Sequence, residues 1–313
     1  MLESLQVSFS AIAPIFLLLS LGYGIKKIRL VEESVFAALN KLIFRVFLPI
    51  LLFYNLYSSD VQSVMDGKLI GFCVAAVLVL FVIGYAAVHV LTKDHRRRGV
   101  MAQAFFRSNF AILGIPIVDY VCRGKTDGRV AMVIAVLVPL FNVLAVVVLE
   151  RFRGGKVKVG RLVKGILTNP LIVACAVGGL FLACGIRLPS VVEEAVSGLS
   201  DVASPLAMVV LGAGFTFSGL KGYARELTAM NLVKLVFAPM LALSAAVLCG
   251  FRGESLACVL AGFGAPMAVS SFSMAQEMDA DSHLAAQGVV TTSALSMVTM
   301  FLWVFVLSMC RWI

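Results

Sequence analysis

Two stretches decide the fold: RSNFAILGIP at residues 107–116 and GAPMAVSSFS at residues 264–273. Each sets a Gly-x-Pro unit, Gly114-Ile115-Pro116 and Gly264-Ala265-Pro266, inside a long apolar run. Proline removes a backbone donor and clashes with the turn before it, while glycine accepts the dihedrals that result. Both helices are therefore expected to break at these prolines. In lipid, broken backbone survives only where it is buried in protein or lines a wet cavity. Matched interruptions in two halves of a chain are the best sequence pointer to a transporter's substrate site.

The surrounding sequence is that of a membrane protein. Of 313 residues, 61% are hydrophobic and 14% charged, with a mean hydropathy of +1.01; a soluble domain is nearer half apolar and a quarter charged. A span and its connector consume roughly 30 residues, so the chain has room for about ten helices and little else. The apolar runs lie near residues 6–25, 34–56, 69–91, 100–121, 130–149, 166–184, 195–220, 227–249, 255–275 and 285–310. Glu3 stands where a signal peptide wants basic residues, so the first run is expected to remain as a helix. The seven cysteines form no CxxC pair, which suggests packing residues rather than a disulfide framework or a zinc site. No cofactor or metal is expected.

The net charge of +9 implies basic cytoplasmic loops rather than a nucleic-acid partner. Lys26, Lys27, Arg29, Lys93, Arg96, Arg97, Arg98, Arg151, Arg153, Lys156, Lys158, Arg161, Lys164, Lys221 and Arg225 fall in one set of alternate loops. Lys68, Arg123, Lys125, Arg129, Arg187, Arg252 and Arg311 fall in the other. Because Lys and Arg are retained on the cytoplasmic side, both termini should face outward in the plasma (inner) membrane. The reading divides the chain into a first five-helix repeat at 1–150, a basic cytoplasmic loop at 151–165 and a second, inverted repeat at 166–313. Five spans per half make the second half insert upside down. Pro14 and Pro49 recur as Pro170 and Pro205, and Ile28-Arg29-Leu30 is echoed by Ile186-Arg187-Leu188. The expected fold is an all-α polytopic membrane protein of ten helices, with helices four and nine broken and crossing.

The residues 107–116, Thr168-Asn169-Pro170, Ser204-Pro205, Leu211 to Gly214, and Ala265-Pro266 with Phe272 and Glu277 resemble the auxin efflux carrier family. That family includes plant PIN carriers and bacterial permeases for malate and malonate. The resemblance implies a homodimer of carriers, each with a scaffold and a mobile part. It also implies a substrate carboxylate beside the crossing of helices four and nine. Carried onto this sequence, the site would comprise Asn109, Gly114, Pro116, Gly264 and Pro266. The short middle loop is closer to the bacterial branch than to plant carriers.

Charge adds to this reading. Lys41, Arg45, Arg107 and Lys234 lie inside apolar spans at similar depth, and would line a vestibule that draws in anions. Lys41 and Lys234 have the alternative of reaching back to the inner headgroups. Arg107, two residues from Asn109, faces either the permeation path or lipid headgroups; Ser270 is a further candidate donor. An offset of 156 residues would set Arg45 against Asp201. The expected partners are a small organic anion and the bilayer. The expected function is a secondary carrier of mono- or dicarboxylates. A sodium-coupled bile-acid-type symporter of the same plan is the alternative, and a non-transport polytopic protein the distant one. No HExxH or GxSxG pattern speaks for an enzyme.

Overall fold

The computed structural model describes residues 2–58, 66–122, 129–153 and 159–313, and among these the regular structure is helical, with no strand. The first half comprises α1 (Leu2–Lys27), α2 (Glu33–Leu42), α3 (Leu48–Tyr57), α4 (Gly67–Leu91), α5 (His95–Phe106), α6 (Phe110–Val121) and α7 (Arg129–Phe152). The second comprises α8 (Val159–Leu167), α9 (Pro170–Cys184), α10 (Ser190–Gly214), α11 (Phe217–Gly222), α12 (Ala224–Leu232), α13 (Ala238–Leu248), α14 (Gly253–Gly264), α15 (Ser270–Glu277) and α16 (Ser282–Met309). Among the described residues six helical stretches, with α2–α3 and α12–α13 each counted as one, are long and apolar enough to cross a membrane. The chain is a multi-pass membrane protein.

Local sequence explains how these helices start and bend. Asp66, Asp94, Asn169 and Asp281 cap α4, α5, α9 and α16, each accepting a backbone N–H from the first turn, which satisfies an otherwise orphaned donor. A π turn at Ile43–Phe47 joins α2 to α3, and another at Val233–Phe237 joins α12 to α13. Pro49 and Pro239 follow directly. A proline ring would strike the carbonyl four residues back in a regular helix, and the wider turn makes room for it. These two prolines therefore bend their helices without breaking them.

The helices pack as two groups. In the first, α1 lies along α10 and α3 along α9, with backbones in close approach. A side chain at Gly22 would overlap the Val209 carbonyl, and one at Gly212 that of Leu19. Gly178 faces Phe53 O in the same way, 2.8 Å from where a Cβ would stand. Small residues at such seams let membrane helices meet without a hydrophobic driving force. In the second group α4 packs on α5, α5 on α7, α6 and α13 on α14, and α15 on α16. Across α4 the buried residues Leu69, Cys73, Val77, Leu80, Gly84 and Val88 recur every three or four positions, leaving Val82 and Val90 outward. That is the stripe of a helix with one face on protein and the other on lipid.

Polar contacts tie the second group together at one end. Arg97 donates to Glu226 Oε1 at 2.6 Å and lies over the Tyr223 ring, 4.9 Å from its centroid. Arg96 reaches the carbonyls of Asp279 and Ala280, and Arg153 pairs with Asp279. The Glu226 hydrogen bond holds the Arg97 guanidinium above the ordinary arginine pKa.

Two sequence expectations need correction. Helix four is interrupted at Arg107–Asn109, between α5 and α6, and α6 runs through Gly114 and Pro116. The Pro116 side chain itself lies outside the described residues. The cause is a set of long-range hydrogen bonds, described below, that reward extended backbone at 107–109. Helix nine breaks where expected, over residues 265–269 after Gly264. The stretch read as a loop at 151–165 also holds the start of α8; residues 154–158 lie outside the described set.

Candidate functional site

The two interruptions meet. Asn109 N–H donates to Pro266 O at 2.8 Å, and Ser108 Oγ donates to Ala265 O at 3.0 Å. On the far side, Met267 N–H donates to Thr292 Oγ1 on α16 at 3.2 Å. An interrupted membrane helix strands backbone groups that water cannot reach, so each must find a partner inside the protein. Here each break supplies partners for the other.

Beside this junction is a small, partly open cavity. Arg107, Ser108 and Asn109 line it from one break and Ala268, Val269 and Ser270 from the other. Phe141 and Asn142 of α7 complete that side. Opposite stand Leu48, Leu51 and Leu52 of α3, Leu171 of α9, and Ser204 and Ala207 of α10. The face made by the α1–α10 and α3–α9 group is thus apolar apart from Ser204, and the face made by the second group carries the charge and the amides.

Arg107 dominates the polar face, with only 2% of its surface exposed. Its Nη1 donates to Gln103 Oε1 at 3.0 Å and lies 2.6 Å from Met274 Sδ. Its Nη2 donates to Asn142 Oδ1 at 2.8 Å and to Ser270 Oγ at 2.7 Å. All four partners are neutral. Among the described residues no carboxylate pairs with Arg107 or lines the cavity. A buried charge is ordinarily paired, and a cation at the centre of a membrane helix costs roughly 2.5–3.5 kcal/mol even on the mildest scale. Asn109 adds a second unmet demand: it is 4% exposed and among the described residues its Nδ2 has no hydrogen-bond partner. The site therefore presents a positive charge whose partners are all neutral and, among the described residues, one amide donor without an acceptor.

The other expected residues are placed differently. Pro266 touches the site through its carbonyl. Gly114 and Gly264 are buried away from the cavity; a Cβ on Gly114 would meet the Phe110 ring at 2.6 Å, and one on Gly264 Met300 Sδ at 2.9 Å. Lys234 is not among the residues that line the described cavities. It is completely buried, and its Nζ donates to Phe263 O at 3.3 Å, at the carbonyl end of α14, where a cation complements the helix dipole. Arg45 is exposed and lines a second, open cavity with Glu150, Thr168, Asn169 and Glu277. Its partner is Glu277, at 4.0 Å, rather than Asp201. Lys41 is exposed and lines neither cavity.

Comparison with known proteins bears on the chain as a whole. The family model described as membrane transport protein matches residues 7–304. The chain belongs to the membrane transport protein family. This is the auxin efflux carrier family that its motifs resemble. An uncharacterized transporter of Methanothermobacter thermautotrophicus is 25% identical over 310 residues, covering 96% of this chain and 98% of that protein. The sequence reading found Arg107, Asn109 and Ser270 but not Gln103, Asn142, Ser108 or Met274. Gln103 was the legible one, because it stands four residues before Arg107 and so shares its helix face.

Proposed function

We propose that this member of the family carries small organic anions, and that Arg107 receives the substrate's carboxylate. The buried guanidinium with only neutral partners carries the reading: a carboxylate that exchanged with Met274 and Ser270 at the two Nη atoms would turn two neutral contacts into a charge-assisted, bidentate pair. Asn109 Nδ2 and the Ser270 hydroxyl are donors beside it, and neither brings a second charge. The apolar wall of Leu48, Leu51, Leu52 and Leu171 would hold the carbon skeleton.

The packing supports a ten-span inverted repeat. Joined end to end, α2–α3, α5–α6, α8–α9, α12–α13 and α14–α15 each make one span, and α1, α4, α7, α10 and α16 make the others. Gly22 against Val209 becomes Gly178 against Phe53 when 156 is added to the first number and taken from the second. The same offset sets Asn109 beside Ala265, so the two breaks correspond to each other more closely than their prolines do. One group of spans, α1, α2–α3, α8–α9 and α10, then serves as scaffold. The other, held together by the Arg97 contacts, carries Arg107 across by moving against it, as the crossing helices of the family would have it. The moving face brings the charge and the fixed face the apolar wall.

Reconstituted protein tests this. Uptake of labelled pyruvate, acetate, malonate and succinate should be measured under an imposed membrane potential, a proton gradient or a sodium gradient, for the wild type and Arg107→Gln. Saturable uptake of at least one acid, lost in Arg107→Gln at equal abundance, is the expected result. No uptake of any anion, or uptake indifferent to Arg107→Gln, overturns the reading. A requirement for sodium would favour the bile-acid-type alternative.

A further inference from the structure

Resting on that reading, we propose that Gln103 and Asn142 set the charge preference of the site: they hold the Arg107 guanidinium with amide oxygens and so leave its charge for the substrate. The usual way to orient a buried arginine is a carboxylate, which binds it bidentately and cancels it. This chain uses two amides instead, from different helices. Gln103 on α5 is 0% exposed and Asn142 on α7 is 2% exposed. Their Oε1 and Oδ1 accept from Nη1 and Nη2 at 3.0 and 2.8 Å. Each amide is itself tethered through its nitrogen: Gln103 Nε2 donates to Gly99 O at 3.4 Å and Asn142 Nδ2 to Val138 O at 3.0 Å. Those tethers turn the oxygens, not the nitrogens, toward the guanidinium.

The arrangement fixes direction without spending charge. An amide oxygen offers a hydrogen bond of ordinary strength, so the fork stays oriented while its positive potential remains uncancelled in a site poor in water. Gln103 and Asn142 are therefore positioning residues for Arg107. Each is one isosteric atom exchange away from a carboxylate that would occupy the guanidinium permanently.

Asn142→Asp and Gln103→Glu test the proposal, with Asn142→Ser as the control. The serine variant loses the amide nitrogen that is tethered to Val138, as the aspartate does, and the oxygen held by Arg107 as well, but it introduces no charge. Uptake of labelled pyruvate and malonate, and half-saturation for each, should be measured in proteoliposomes at matched protein content. The acid variants should raise KM for anion uptake at least about tenfold, the effect of one ordinary charge-assisted hydrogen bond, and the serine variant should raise it much less. If an acid variant keeps the wild-type KM, or if Asn142→Ser is as damaging as Asn142→Asp, the proposal is overturned. Should Asn142→Asp fail to reach the membrane, Gln103→Glu supplies the same comparison from another helix. If the wild type itself carries no anion, the functional reading has failed instead, and the two outcomes remain separate.

Discussion

The seam between α1 and α10 makes a prediction that geometry alone supports. A Cβ at Gly22 would overlap the Val209 carbonyl oxygen and stand 2.7 Å from its carbon, while ordinary contacts begin at 3.4 Å. Gly22→Ala must therefore push the two helices apart by at least 3.4 − 2.7 = 0.7 Å. The obstacle is backbone, so no side chain can rotate away to relieve it. Overpacking a well-packed interior costs typically 1–3 kcal/mol, and a rigid obstacle belongs at the upper end, about 2–3 kcal/mol. That corresponds to a fall of about 3–5 °C in the midpoint of cooperative unfolding for a chain of this length. Gly24, two residues on, has nothing within 4 Å of its ideal Cβ, so Gly24→Ala should be neutral or slightly stabilising through helix propensity. The repeat supplies a second pair. Gly178→Ala meets Phe53 O at 2.8 Å, whereas Gly179→Ala meets nothing. Thermal unfolding of the four purified variants in detergent is the assay. Equal midpoints for Gly22→Ala and Gly24→Ala would refute the close approach, and a cost at Gly22 without one at Gly178 would refute the correspondence of the two seams.

Two further outcomes follow from the polar groups. Asn109→Ala should reduce anion uptake while leaving thermal stability unchanged or raised, because among the described residues the deleted Nδ2 has no protein partner and a buried unsatisfied donor costs about 1–3 kcal/mol; a parallel loss of stability and uptake would assign Asn109 to folding instead. Arg97→Ala should lower stability by about 1 kcal/mol at low salt and by less at high salt, since its pair with Glu226 is partly exposed and screened; thermal midpoints that do not change with salt would refute an electrostatic clamp.

The legibility of this chain divides along a physical line. Features governed by transfer into lipid were readable one residue at a time: long apolar runs that form helices, and the break at Gly264-Ala265-Pro266. The other break was not, because its position is decided by atoms far away in sequence. Residues 107–109 are extended since Pro266 O and Ala265 O accept from them, and those acceptors exist only once α14 has its own interruption. Pro116, by contrast, was a local signal that a continuous α6 absorbs. The same holds among the charges. Sequence places Arg107 and Lys234 at similar depth, yet one lines a cavity and the other closes the carbonyl end of α14. Nothing in the flanking residues separates them, because the difference lies in which neighbouring helix faces each. Asn142 escaped for a related reason: a lone amide in an apolar helix announces a hydrogen bond but not its partner.

The two hydrogen bonds joining the interruptions bear on the economy of transport. Asn109 to Pro266 and Ser108 to Ala265 fasten the polar half of the cavity into one piece, so Arg107, Asn109 and Ser270 keep their spacing wherever that piece travels. A ligand would then meet the same donors from either side of the membrane. Under the carrier reading, the molecule has no intrinsic preference between loading outside and loading inside, and the sense of net movement is dictated by the concentrations and voltage across the bilayer. The same chain would fill a cell with an acid or empty it of one, according to the gradient it is given.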